Sequence, residues 1–135
     1  MTALEAGIVS ADAARLVEFY RDGLGFSIER VLEFPQGTVH RLVRDDARLK
    51  IHQPAGGAEG RPPAEPWSRF AGLCYAALHV DDAAAEVERA IEAGASIVTP
   101  VRNHRPGAWM ALIKDPDGNV WEILQDTNPS EGDPT

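Results

Sequence analysis

The first half of the chain alternates short apolar runs with polar turns, in an order that predicts one strand, one helix and three further strands. A strand over residues 3–10 ends just before Asp12, a residue type that favours the N-cap position of a helix. Apolar residues then recur at helical spacing as far as Leu24, and glycines mark the end of the helix. The three further strands are predicted over residues 26–34, 38–43 and 48–52.

The second half repeats this order after a connector, residues 54–71, that is rich in Pro, Gly and Ala and has no periodicity. Asp82 is the expected N-cap of the second helix, and Gly94 ends it. Four strands are predicted around this helix, over residues 74–80, 96–101, 109–114 and 119–124. A shift of roughly 70 residues superimposes the two halves, which is typical of an internal repeat.

Each half alone is too small to bury both faces of its sheet, so the two halves are expected to form one domain. We predict an α+β fold in which two tandem βαβββ modules form an eight-stranded, partly open barrel around a cleft. The predicted boundaries are a single domain over 1–127, with module one at about 3–53, the connector, and module two at 72–125, followed by a flexible tail over 128–135.

The net charge of the chain indicates which kinds of partner are not expected to bind it. A formal net charge of −8 argues against a surface for nucleic acids or anionic membranes, which would need clustered Lys and Arg, so neither is expected as a partner. No stretch approaches the roughly 18 apolar residues of a membrane span, and no secretory leader is seen. The single cysteine, Cys74, has no disulfide partner within the chain. These features predict a cytoplasmic protein.

Two segments resemble the vicinal oxygen chelate superfamily, which includes glyoxalase I, bleomycin-resistance proteins and extradiol dioxygenases. The first comprises residues 8–12 and 19–26, and the second, more specific segment is the Asp-Pro-Asp-Gly-Asn motif with its following strand, residues 115–123. The Asp115–Gly118 part of this motif is by itself a hairpin turn without chemistry of its own. The resemblance implies a glyoxalase-like fold, a small-molecule ligand and, together with exposed sheet edges, a homodimer.

Strand alternation places polar side chains on one face of each strand, opposite an apolar set that fits beneath the helices. On the first, fourth, fifth and last strands these polar residues are Glu5, Lys50, Tyr75 and Glu122. The resemblance implies that these four positions hold the metal ligands of metal-dependent members, which place His or Glu at all four.

Lys50 and Tyr75 depart from that pattern, and lysine is a poor ligand because its nitrogen must first lose a proton. We therefore predict a metal-free cleft without a cofactor, in which the Lys50 ammonium neutralises Glu5 and Glu122. His52 lies on the same strand face as Lys50 and leaves an alternative open. In that alternative, Glu5, His52 and Glu122 bind Ni, Mn, Fe or Zn.

The resulting prediction is a small-molecule-binding protein of the glyoxalase and bleomycin-resistance type, acting as a binding protein, a resistance protein or a metal-independent enzyme. The alternative is a metal-dependent lyase, isomerase or dioxygenase with a vicinal-oxygen substrate, in which Glu122 or Glu5 moves a proton. Metal content distinguishes the two. Trp67 and Trp109 are further candidate ligand contacts, because both are expected near the mouth of the cleft.

Overall fold

Residues 1–127, the part of the chain that the computed structural model describes, form two βαβββ modules in the predicted order. The predicted flexible tail lies outside the described residues. The first module contains β1 (Glu5–Val9), α1 (Ala13–Leu24), β2 (Ser27–Phe34), β3 (Gly37–Arg44) and β4 (Ala47–Pro54). The second contains β5 (Tyr75–His79), α2 (Ala83–Glu92), β6 (Ser96–Arg105), β7 (Ala108–Lys114) and β8 (Val120–Asp126). Neither helix in this part of the chain is long and apolar enough to cross a membrane.

Each module forms its own four-stranded mixed sheet, with the same strand order. Sheet A runs β1-β4-β3-β2 and sheet B runs β5-β8-β7-β6, and in each the first strand pairs parallel to the fourth. The α+β class and the two tandem modules are confirmed. The eight strands form two separate sheets and no closed barrel.

Both helices begin at the predicted caps. The Asp12 carboxylate accepts a hydrogen bond from the backbone N–H of Arg15, and the Asp82 carboxylate accepts one from Ala85. At the end of α1 the chain needs a left-handed residue, and Gly25 provides it at φ 68°. The local sequence therefore determines where each helix begins and where α1 ends before any packing is considered.

The helix-facing sides of both sheets pack into one core together with the two helices. The helices meet closely near their C-terminal ends, where a Cβ on Gly23 would lie only 2.9 Å from the Cβ of Ala93. The opposite side of each sheet carries no helix, and it points away from this core. We call the helix-free side of sheet A face A and that of sheet B face B.

A buried hydrogen-bond network around Tyr20 joins the two modules. The Tyr20 hydroxyl donates to Oδ2 of Asp115 at 2.5 Å and accepts a hydrogen bond from Nε1 of Trp121 at 2.7 Å. The other Asp115 oxygen accepts the backbone N–H groups of Asp117 and Asn119 at 2.9 Å. Burial, followed by the Asp115 charge, raises the pKa of Tyr20 well above its ordinary value. The tyrosine therefore stays neutral and acts as the donor.

The turn between β7 and β8 makes a second set of contacts with module one. Asp117 accepts hydrogen bonds from the Ser10 hydroxyl at 2.7 Å and from Nη2 of Arg15 at 2.6 Å. The Asp-Pro-Asp-Gly motif is thus a turn, as the sequence indicates, and its two carboxylates also attach module two to the start and the middle of α1.

Arg44, at the end of β3, links module one to α2. Its guanidinium donates to both oxygens of Glu86, at 2.6 and 3.0 Å, and also to the backbone carbonyl of Leu24. Arg89 donates to the same carboxylate at 2.8 Å. Burial by itself would raise the pKa of Glu86, but the hydrogen bond and charge of Arg44, with help from Arg89, outweigh it and lower that pKa.

Replacing Tyr20 by Phe removes the hydroxyl and leaves the buried Asp115 oxygen and the Trp121 N–H each without one partner. We expect the free energy of unfolding to fall by about 2–3 kcal/mol. Urea denaturation measures the change. Tyr75→Phe is the matched control, since Tyr75 is 52% exposed, and it should cost less than about 0.5 kcal/mol. Equal effects of the two substitutions would contradict the role given to Tyr20.

Glu86→Gln removes the charge that Arg44 and Arg89 share, and we expect a loss of about 2 kcal/mol at pH 7. Because the pKa of Glu86 is lowered by folding, its stabilisation is complete above its ordinary pKa and is lost as pH falls through the lowered value. The difference between wild type and variant should therefore shrink below about pH 4. Urea denaturation from pH 7 to pH 3.5 measures it, with the exposed Glu88→Gln as control. A difference that does not depend on pH would contradict this assignment.

Candidate functional site

Face A brings together three of the residues that the sequence singles out. In the register of β1 with β4, Glu5 lies opposite Arg48, Gly7 opposite Lys50 and Val9 opposite His52. Residues that pair in this way share a face, and the intervening Leu49 and Ile51 are fully buried in the core. Glu5, Lys50 and His52 therefore all lie on face A, as the alternation predicts.

Two cations surround the Glu5 carboxylate within its own sheet. Nζ of Lys50 lies 3.3 Å from Oε1, and Nη2 of Arg41 lies 3.6 Å from Oε2. Oε1 is shielded from solvent and has no hydrogen-bond partner among the described residues, so charge attraction is what holds it. The carboxylate is thus neutralised by side chains of sheet A.

His52 lies far from Glu5 along the same face. The position opposite Glu5 on β4 is Arg48, and His52 is four residues further along the strand. At the rise of a β-strand this corresponds to about 13 Å. A transition metal needs its ligand atoms at about 2 Å, so Glu5 and His52 do not lie in a position to hold one ion together.

Face B carries the other two predicted residues and Trp67. Glu122 pairs with Ala77 and Tyr75 pairs with Val120, which puts Tyr75 and Glu122 on the same face, two positions apart. The connector returns over this face, where the Trp67 ring lies 5.2 Å from the Tyr75 ring in an edge-on contact. Trp67 also packs on a small apolar cluster of Met110, Leu112 and Val120. Trp67 therefore covers part of face B.

Trp109 lies on the other side of sheet B. It pairs with Gln125, whereas its neighbour Met110 pairs with Leu124 on face B. The Gln125 side chain accepts the backbone N–H of Ala83 at the start of α2, which marks that side as the helix-facing one. Trp109 is thus separated by its sheet from Tyr75 and Glu122, because one residue of register reverses the face of a strand side chain.

The structure therefore brings Glu5 and Lys50 into contact and places Tyr75 and Glu122 on a different sheet. Both faces point away from the shared core. Within residues 1–127, no group of three or more His, Cys, Asp and Glu side chains is arranged to hold a metal ion. At two of the four positions for which the resemblance implies His or Glu, this chain has Lys50 and Tyr75.

Arg41 is a member of the cluster that sequence reasoning missed. It lies on β3 directly opposite Lys50, and on face A its neighbours along the strand are Val39 and Val43. The two-residue period of the strand places this arginine on the same face as the two valines, so the sequence pattern alone could have predicted its position on face A. Its importance depends on the pairing of β3 with β4, which the sequence does not display.

The described residues also enclose a groove of about 560 Å³ on the helix side of the molecule. It lies between the two helices, and charged side chains of both signs line it, among them Arg15, Asp22, Arg89 and Glu92. None of the residues predicted for the ligand site lines this groove. The candidate site therefore consists of faces A and B.

Comparison with solved structures gives the same fold. SMU.1112c has 25% identity and a TM-score of 0.74, with 92% of this chain and 98% of that chain covered. A glyoxalase/bleomycin resistance protein from Streptomyces sp. CB03234 has 22% identity and a TM-score of 0.67, covering 92% and 100%. Glyoxalase I from Zea mays has 20% identity and a TM-score of 0.74, covering 91% of this chain but 44% of that longer chain. The last two likenesses concern the fold alone.

No curated protein matches the chain. The family model described as the Glyoxalase/Bleomycin resistance protein/Dioxygenase superfamily matches residues 3–123, which is nearly the whole of the described chain. This range includes module one, module two as far as the middle of β8, the motif at the β7–β8 turn and all the candidate site residues. The chain belongs to the Glyoxalase/Bleomycin resistance protein/Dioxygenase superfamily.

Proposed function

We propose that this protein binds a small molecule in a metal-free cleft, as a binding or resistance protein of its superfamily or as a metal-independent enzyme. The observation that carries the proposal is the Glu5 carboxylate, which lies between Lys50 and Arg41. In this position, where metal-dependent relatives are expected to place a ligand, protein cations already compensate the charge. A metal ion would have to displace them and would meet their repulsion.

The proposal includes a homodimer whose cleft lies between face A of one chain and face B of another. Face A is open to solvent and face B is covered only in part, by Trp67 of the connector, whereas ligand sites usually bury most of the ligand surface. Apolar side chains are exposed on both faces: Val9 is 63% exposed and Phe34 51% on face A, and Tyr75 is 52% exposed on face B. Covering them with a second copy would remove this surface from water and supply the missing wall.

In this arrangement, Glu5 and Lys50 from one chain face Tyr75 and Glu122 from the other. Lys50 is half exposed, so its ammonium is free to extend toward a second carboxylate. The cleft would then have a charged centre of two carboxylates, Glu5 and Glu122, and two cations, Lys50 and Arg41. Trp67 and Tyr75 would form an aromatic wall. Such a site favours a flat ligand with polar substituents. The cytoplasm is the compartment that we propose for it.

Light scattering tests the assembly. We expect a particle of twice the 14.6 kDa chain mass at micromolar concentration. Val9→Asp puts a charge on the exposed apolar part of face A and should weaken the dimer about tenfold or more. Ile91→Asp is the matched control, because Ile91 is 39% exposed but lies on α2, away from both faces. A wild-type particle of one chain mass would contradict the homodimer.

Elemental analysis of protein purified without chelator tests the metal. We expect well under one transition-metal ion per chain, because Lys50 and Tyr75 stand where ligands would be needed. A stoichiometric metal that is lost in Glu122→Ala or His52→Ala, but kept in the control His104→Ala, would overturn the proposal. That result would favour a metal-dependent lyase, isomerase or dioxygenase.

A further inference from the structure

Three cations form a continuous row across face A. Arg30 on β2 lies directly opposite Arg41 on β3, and Arg41 lies directly opposite Lys50 on β4. The next position in the row, on β1, is Gly7, and a Cβ added there would meet nothing within 4 Å. We call Arg30, Arg41 and Lys50 the cationic row. It ends in an open space at the edge of the sheet.

This row is unfavourable in the absence of an anion. Like charges directly opposite each other on neighbouring strands are destabilising. Glu5 compensates Arg41 and Lys50 together with a single negative charge. Arg30 is exposed and takes part in none of the ion pairs within residues 1–127. The cationic row therefore has positive charge in excess, although the whole chain carries a net charge of −8.

An apolar strip runs beside the cationic row. The next positions along the strands are Leu32 on β2, Val39 on β3, His52 on β4 and Val9 on β1, which also share face A. Phe34 follows one step further along β2. Three of these four positions, and Phe34 after them, carry apolar side chains. Face A thus offers a cationic strip next to a mostly apolar strip about 7 Å away along the strands.

We propose that face A binds a small anion in which a carboxylate or phosphate group is attached to an apolar, ring-sized body. The anionic group would lie on the cationic row, where the planar guanidinium groups of two arginines suit bidentate hydrogen bonds to its oxygens. The body would lie on the apolar strip, with room at Gly7. This inference rests on the proposed small-molecule cleft and specifies the class of ligand that the cleft takes.

The test uses three probes with the same ring: phenyl phosphate, benzoate and the neutral benzyl alcohol. Amide chemical shifts of the labelled protein report both the affinity and the location of each probe. We expect the two anions to shift residues of β2, β3 and β4, with dissociation constants on the order of a millimolar. Comparing phenyl phosphate with benzoate tells which of the two anionic groups the row prefers.

Arg30→Gln should weaken the binding of the preferred anion about tenfold and leave benzyl alcohol unchanged. Arg30 is the variant of choice because it makes no ion pair that folding needs. Arg61→Gln is the matched control, since it removes the same charge from the exposed connector. Raising the salt concentration should weaken the binding of the two anions and leave the affinity for benzyl alcohol unchanged.

The outcomes separate this inference from the proposed function. If all three probes bind face A with equal affinity and Arg30→Gln changes none of them, the cleft stands but its ligand is not an anion. The same conclusion follows if Arg61→Gln weakens the anions as much as Arg30→Gln does. If no probe perturbs face A or face B while the protein is a dimer, both the ligand class and the small-molecule cleft are wrong.

Discussion

Tyr20 and Asp115 are 95 residues apart in the chain, and the hydrogen bond between them joins the helix of one module to the turn of the other. Because both groups are buried, neither can exchange this partner for water without a large cost in free energy. The contact holds α1 against sheet B while its other side packs on sheet A. The helix-facing sides of both sheets consequently share one core, and the helix-free sides face away from it.

The residues that identify the family are largely the ones that perform this structural task. Tyr20 comes from the first of the two family-like segments, and Asp115, Asp117 and Trp121 come from the second. They meet in the folded chain and connect the modules. Membership of the superfamily is therefore read from residues that build the scaffold, and it leaves the chemistry of faces A and B undetermined. This explains how one fold hosts binding proteins and enzymes of several classes.

The charges on face A distinguish this chain from what is expected of its metal-dependent relatives. In the metal-dependent relatives, the resemblance implies that anionic and neutral ligands converge on a cation. Here Glu5 lies between Arg41 and Lys50, and Arg30 extends the positive charge to β2. These side chains together thus carry a net positive charge, whereas the ligands of a metal site are negative or neutral before the metal binds. A face of this sign favours anions over divalent cations, and this is the physical basis of the metal-free cleft that we propose.

The sequence by itself determined the order of strands and helices, the two helix caps and the two-module repeat. It also placed Glu5, Lys50, Tyr75 and Glu122 on the helix-free faces. These features depend on short-range patterns: the two-residue period of strands, the 3.6-residue period of helices, and the chemistry of Asp12, Asp82 and Gly25. Only the tertiary structure decided which of the polar residues meet. Lys50 contacts Glu5 and lies on a different sheet from Glu122, Trp109 lies on the helix side, and Arg41 joins the cluster. Strand register and the packing of one sheet against another link residues far apart in the chain, and no local pattern encodes those pairings.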